Sequence, residues 1–196
     1  MISQSIQEIQ SLIISELDEN LKIISIDGWT GAGKSTLTDL FQNVNEIEII
    51  SFENYFERNT GKYLDVFNFD DLKNKITAAL NSGKNVLVEG ICMDEVLQNI
   101  SIKSDYKIYI KELGAFKDWY YEKYLDESKT TEEIFTEDDK ETEVDIFENN
   151  DIDKGKKSNE YDELQKQRQG SFYDLVRYHR EFRPQDNCDL LFERLE

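Results

Sequence analysis

Residues 22–41 read KIISIDGWTGAGKSTLTDLF, an isoleucine-rich run that passes directly into a glycine-rich turn and then into helix-compatible sequence. No other stretch restricts the fold as strongly. A short β-branched run suits a strand covered on both faces, as in the middle of a parallel sheet. Parallel neighbours need crossover connections, so helices must alternate with the strands. The rest of the chain agrees. Residues 46–51, 85–89, 105–110 and 188–193 read as four further strands. Residues 34–43, 70–82 and 114–125 read as helices between them, the middle one with Asp70 as N-cap and Gly83 as its stop. The predicted fold class is α/β, a three-layer arrangement with a five-stranded, mainly parallel sheet.

With 196 residues the chain suits a single domain with a core of its own. Ile2, Ile6, Ile9, Ile13 and Leu17 recur at helical spacing and predict an amphipathic helix over 3–19. Residues 126–163 break the alternation, with sixteen acids against five lysines. Such composition resists burial and reads either as a solvated insertion or as an enlarged lid. The stretch that follows, up to Pro184, reads as helix and carries Arg177, Arg180 and Arg183 at one-turn intervals. They either neutralise the acidic insertion or serve as lid arginines.

A net charge of -19 repels nucleic acid and anionic lipid, so neither is an expected partner. The same field repels a nucleoside triphosphate, so a site for one must supply its own cations. Cys92 and Cys188 are too far apart in sequence for a metal signature and read as reduced thiols. No apolar run is long enough to cross a bilayer, and the composition is that of a cytoplasmic protein, in which a homo-oligomer remains open.

Gly28 to Ser35 matches G-x-x-x-x-G-K-[ST] at every specified position, in the strand-to-helix context that the motif requires. Glycines allow consecutive N–H groups to converge on an anion, and the following helix adds its positive end. The predicted phosphate-binding residues are Gly28, Trp29, Thr30, Gly31, Ala32, Gly33, Lys34, Ser35 and Thr36, with Lys34 on the β/γ oxygens and Ser35 on Mg²⁺. The Trp29 ring either stacks on a ligand or packs on a neighbouring element. Two further carboxylates, Glu53 after the second of these strands and Glu89 at the end of the third, belong at the same sheet edge. One can accept the proton of an attacking hydroxyl while the other holds Mg²⁺.

Taken in order, IISIDGWTGAGKST, SFENYF, DVFNFDDL, VLVEGI and YHREFRPQDNCDLL resemble the successive motifs of the uridine kinase-like branch of P-loop kinases. Members of that branch act on uridine and cytidine, pantothenate, phosphoribulose or nicotinamide riboside. The resemblance implies a P-loop NTPase fold with a lid-like insertion, ATP and Mg²⁺ as cofactors, and a small-molecule acceptor. It makes Lys34 and Glu53 the catalytic pair, and Ser35, Glu53 and Glu89 the metal-associated residues. Asp65, Phe67 and Asn68 fall where the family's acceptor pocket lies. Three departures stand out. Glu53 replaces an aspartate, Lys111, Lys117 and Lys123 stand where the family has arginines, and the histidine and proline of the nucleoside pocket are not recognisable near Tyr63 and Leu64.

Overall fold

The computed structural model describes residues 2–3, 5–17, 22–55, 64–114, 119–134 and 172–195. In chain order its elements are β1 (Ile2–Ser3), α1 (Ile6–Glu16), β2 (Ile23–Gly28), α2 (Lys34–Thr38), β3 (Ile47–Ser51), α3 (Phe69–Asn81), β4 (Asn85–Glu89), α4 (Met93–Asn99), β5 (Tyr106–Leu113), α5 (172–182) and β6 (Leu190–Leu195). The strands form one sheet in the order β1-β6-β5-β2-β4-β3, and every pair is parallel. The isoleucine-rich run is the central strand, and all six of its residues are buried.

Alternation along the strands sorts side chains to two faces. Ile24 and Ile26 of β2, Leu87 of β4, Ile108 and Ile110 of β5 and Phe192 of β6 pack with Ile9 and Ile13 of α1 and Leu37 of α2. Val86, Val88 and Tyr109 face the other way, against Leu72 and Ile76 of α3, Val96 and Leu97 of α4, and Val176 and Tyr178 of α5. The result is a three-layer α/β domain, with five strands where the sequence placed them and a sixth beside them.

That sixth strand corrects the expected helix over 3–19. Ser5 caps α1, its side chain accepting from the Glu8 N–H, so the helix runs only from Ile6 to Glu16 and Ile2–Ser3 is extended alongside Leu191–Phe192. Asn68, not Asp70, caps α3. Its side-chain oxygen accepts from the Asp71 N–H at 3.2 Å, which leaves Asp70 in the first turn, where its charge favours the helix dipole. The helix expected over 34–43 tightens into a 3-10 turn at Asp39–Phe41, and the one expected over 114–125 is a 3-10 turn at Tyr120–Leu125, with 115–118 outside the described residues. Helix α4 is only seven residues long, too short for periodicity to reveal.

Candidate active site

β2 lies between β4 and β5; the chain leaves it for β3, beyond β4, whereas the connection after β4 crosses back to β5 on the other side, so a crevice opens at the carboxyl end of β2. Gly28 closes that strand. Its φ is +152°, and a Cβ there would lie 2.6 Å from the Ile110 carbonyl oxygen, so only glycine lets the chain turn away this close to β5. Gly31 and Gly33 also take positive φ, and the loop delivers the chain to α2 with Lys34 as its first residue.

Lys34 is buried, and its Nζ donates to the carbonyls of Gly28 at 3.0 Å and Trp29 at 2.8 Å. Burial lowers its pKa, opposed by the charges of Asp27, Glu89 and Glu53. Glu89, buried at the end of β4, accepts from the Ser35 hydroxyl at 3.3 Å. Glu53 is exposed on the 3-10 turn Phe52–Tyr55 that follows β3. Thr30, Gly31, Ser35 and Thr36 are exposed on the rim of the loop. Gly90 lets this edge close up, since a Cβ there would meet the Phe52 side chain at 2.6 Å.

Asp27, the last side chain before the loop, is buried on the face carrying α4 and α5. One carboxylate oxygen accepts from the Gly28 N–H at 2.7 Å. The other accepts from the Tyr178 hydroxyl at 2.5 Å and the Met93 N–H at 3.3 Å. Burial pushes its pKa up to about 6, against the pull of Tyr178, Gly28 and Lys34.

The Trp29 ring lies inside the protein. It is sandwiched between Tyr121, with centroids 4.1 Å apart and planes 1° apart, and His179 of α5 at 4.3 Å and 19°. Packing on neighbouring elements, not exposure to a ligand, is therefore its role. His179 donates through Nδ1 to the Leu175 carbonyl at 2.8 Å and accepts the Tyr109 hydroxyl on Nε2 at 2.8 Å. Burial lowers its pKa to about 3, so the imidazole is neutral.

The remaining predicted residues are spread more widely. Asp65 is exposed on the turn Leu64–Val66. Phe67 is buried edge-on to Phe52, with ring centroids 5.5 Å apart, and the Asn68 N–H donates to the Tyr55 carbonyl at 2.8 Å, so this segment rests on the turn that carries Glu53. Arg177 bonds both oxygens of Glu95, at 2.9 and 2.8 Å, and pairs with Glu181. Arg180 donates to the backbone carbonyls of Asp126 and Lys129, and Arg183 pairs with Asp186 and Glu127. These three arginines fasten α5 to its surroundings. Lys117 lies outside the described residues.

Among the described residues, an arginine that sequence reading passed over reaches the phosphate loop. Arg194 of β6 donates to the Ala32 carbonyl at 3.3 Å, pairs with Glu112 at 3.0 Å, and has Nη1 where a Gly33 Cβ would point. Only the pairing of Glu112 with Arg194 across β5 and β6 brings it there.

As a site for Mg²⁺, Ser35 and Glu89 offer two adjacent hard oxygen donors. Among the described residues no group of three or more acidic, His or Cys side chains forms a cage by itself. A magnesium ion held by these two donors would keep waters and take its other ligands from phosphate.

No family model matches the chain, and no curated protein matches it. Among solved structures, that of a possible uridine kinase from Bacillus stearothermophilus aligns over 95% of this chain and 96% of its own, at 11% identity and a TM-score of 0.47. At that distance the likeness has no bearing on the chemistry. The chain's own topology and loop make it a parallel α/β domain with a phosphate-loop sequence at the end of its central strand. Among the described residues no helix is long and apolar enough to cross a membrane.

Proposed function

We propose that the chain is an ATP- and Mg²⁺-dependent kinase that moves the γ-phosphoryl group to a hydroxyl of a small metabolite, with nucleosides the first class to test. The observation that carries this reading is the convergence of Lys34, Ser35 and Glu89 at one sheet edge, beside a loop whose glycines Gly28, Gly31 and Gly33 take positive φ. In this reading the loop holds the β- and γ-phosphates, and Lys34 gives up its bonds to the Gly28 and Trp29 carbonyls to offset their charge. Ser35 and Glu89 hold Mg²⁺, which draws negative charge from the transferring group when bound. Glu53 takes the proton of the acceptor hydroxyl as its oxygen bonds to phosphorus and the bond to ADP breaks. Glu53 carries one methylene more than aspartate, so the turn Phe52–Tyr55 must set its carboxylate back by about an ångström to reach the same point, a distance over which rate falls by about 10²-fold.

One observation favours a second reading, a nucleotide-binding module that has lost transfer chemistry and docks a protein partner through 126–163. Arg177, Arg180 and Arg183 are committed to Glu95, Glu181, Glu127, Asp186 and two backbone carbonyls, instead of standing ready for phosphate. The experiment is ADP formation with ATP and Mg²⁺ against a panel of nucleosides, pantothenate, nicotinamide riboside and sugar phosphates, beside Lys34→Ala. Acceptor-dependent ADP that vanishes in the variant supports the kinase. ATP binding with no acceptor-dependent ADP supports the second reading, and turnover retained by Lys34→Ala excludes both.

A further inference from the structure

Trp29 occupies the first variable position of the phosphate loop, yet its ring belongs to another part of the molecule. One face lies on Tyr121, from the turn after β5, and the other on His179 of α5, while Tyr124 and Phe172 close the edges at 5.8 and 6.1 Å. Offset-stacked aromatic contacts of this kind hold rings in definite orientations. The second partner is itself fixed, because both imidazole nitrogens are engaged, one by the Leu175 carbonyl of its own helix and one by Tyr109 of the sheet. Arg180, one residue further along α5, then grips the backbone at Asp126 and Lys129. Residues 119–134 and 172–182 are thus fastened to each other and, through one indole, to the loop.

The backbone of the same residue faces the chemistry. The Trp29 carbonyl accepts Lys34 Nζ at 2.8 Å, and Gly28 accepts it at 3.0 Å. An ammonium has three protons to donate, and two are spent inside the loop. A phosphate oxygen entering the loop competes for them. When Lys34 turns to the anion, the Trp29 carbonyl keeps only its bond from the Ala32 N–H at 3.2 Å, while its side chain stays held by Tyr121 and His179 from outside the loop.

We propose that Trp29 is a positioning residue: its stacked ring ties the phosphate loop to 119–134 and α5, so that nucleotide in the loop resets the placement of both. The inference rests on the nucleotide-binding reading above and adds to it a route, through one indole, by which a filled loop is felt at the arginine-bearing helix. Sequence alone cannot show this, because Trp29, Tyr121 and His179 come from three distant segments.

The test is hydrogen–deuterium exchange on the full chain with and without Mg-ADP, for wild type, Tyr121→Ala, Trp29→Phe and Trp29→Ala, with calorimetry reporting nucleotide affinity in parallel. In wild type, Mg-ADP changes exchange in the phosphate loop and also in 119–134 and 172–182. Tyr121→Ala removes one face of the sandwich without touching the loop. It keeps Mg-ADP affinity within about threefold and loses the remote response. Trp29→Phe keeps an aromatic ring in the stack and retains part of that response, whereas Trp29→Ala abolishes it. A purely structural role would change exchange in these segments equally with and without nucleotide. Wild type that binds Mg-ADP with no change in 119–134 and 172–182 overturns the inference, as does Tyr121→Ala with the full remote response. Should wild type bind no nucleotide at all, the nucleotide-binding reading falls and this inference falls with it.

Discussion

Asp27 is an acid held where its charge is disfavoured, and this has a definite pH signature. Its folded pKa of about 6 lies above the ordinary 3.8, so between those values the native state binds more proton than the unfolded chain. Stability contributed by this group is complete below the lower value and is lost as pH rises to the upper one, by about 3 kcal/mol in all. Urea unfolding of ligand-free protein at intervals from pH 4 to pH 7 should show wild type losing stability relative to Asp27→Asn across that window. A constant difference between the two would contradict it. Glu89 offers a second test. Glu89→Gln leaves the hydrogen bond from Ser35 an acceptor but removes the charge, and should reduce the Mg²⁺-dependent gain in ADP affinity by about tenfold or more, read by calorimetry with and without the metal. The placement of Gly28 to Ser35 at the end of β2 and of Glu89 at the end of β4 was legible in the sequence because each is a local feature, a spacing or a strand end. Arg194 was not, because a lone arginine in a terminal strand says nothing until the register of β5 and β6 sets it beside Glu112 and the loop.

Helices α4 and α5 show how elements that sequence reads poorly come to frame a site. Bonds between them include those from Arg177 to both Glu95 oxygens and from the Asp94 N–H to the Tyr178 hydroxyl oxygen. Both Arg177 and Glu95 are largely covered, at 24% and 17% side-chain exposure. Truncation leaves a carboxylate without its partner, so Arg177→Ala should cost about 1–3 kcal/mol in chemical denaturation. A loss no larger than that of Arg183→Ala, whose pairs are exposed, would show that the α4–α5 pair contributes nothing. The strands were legible as buried isoleucine, leucine and valine runs, and α3 as a 13-residue periodic segment. Cys92 at φ +57° begins α4, a conformation that side chains seldom adopt and no local pattern announces. The end of α1 was misread for a related reason: Ile2 fits the helical period, but pairing with β6 outweighs the propensity of one more turn.

Across the whole molecule, charge sets the terms on which an anionic ligand approaches. At -19 the field opposes a nucleotide until it reaches the few cations at the loop, Lys34 and Arg194 among them. Added salt screens that opposition, with a Debye length of about 10 Å at 0.1 M. The association rate for ADP, followed by stopped-flow, should therefore rise from low to moderate ionic strength, and a fall would mean that a local basic patch governs encounter. The three-layer plan followed from strand and helix alternation, but the aromatic clamp on Trp29 did not, since it is assembled from segments distant in the sequence. So is the outer part of the sheet. Ile2–Ser3 pairs with Leu191–Phe192, and Ile9 and Ile13 pack in the same cluster as Leu190 and Phe192. A ribosome makes Ile2 and its partner Leu191 189 residues apart. During synthesis the first helix emerges with its apolar stripe uncovered and must wait, shielded or exposed to chance contacts, until the final strand leaves the exit tunnel and completes its seat.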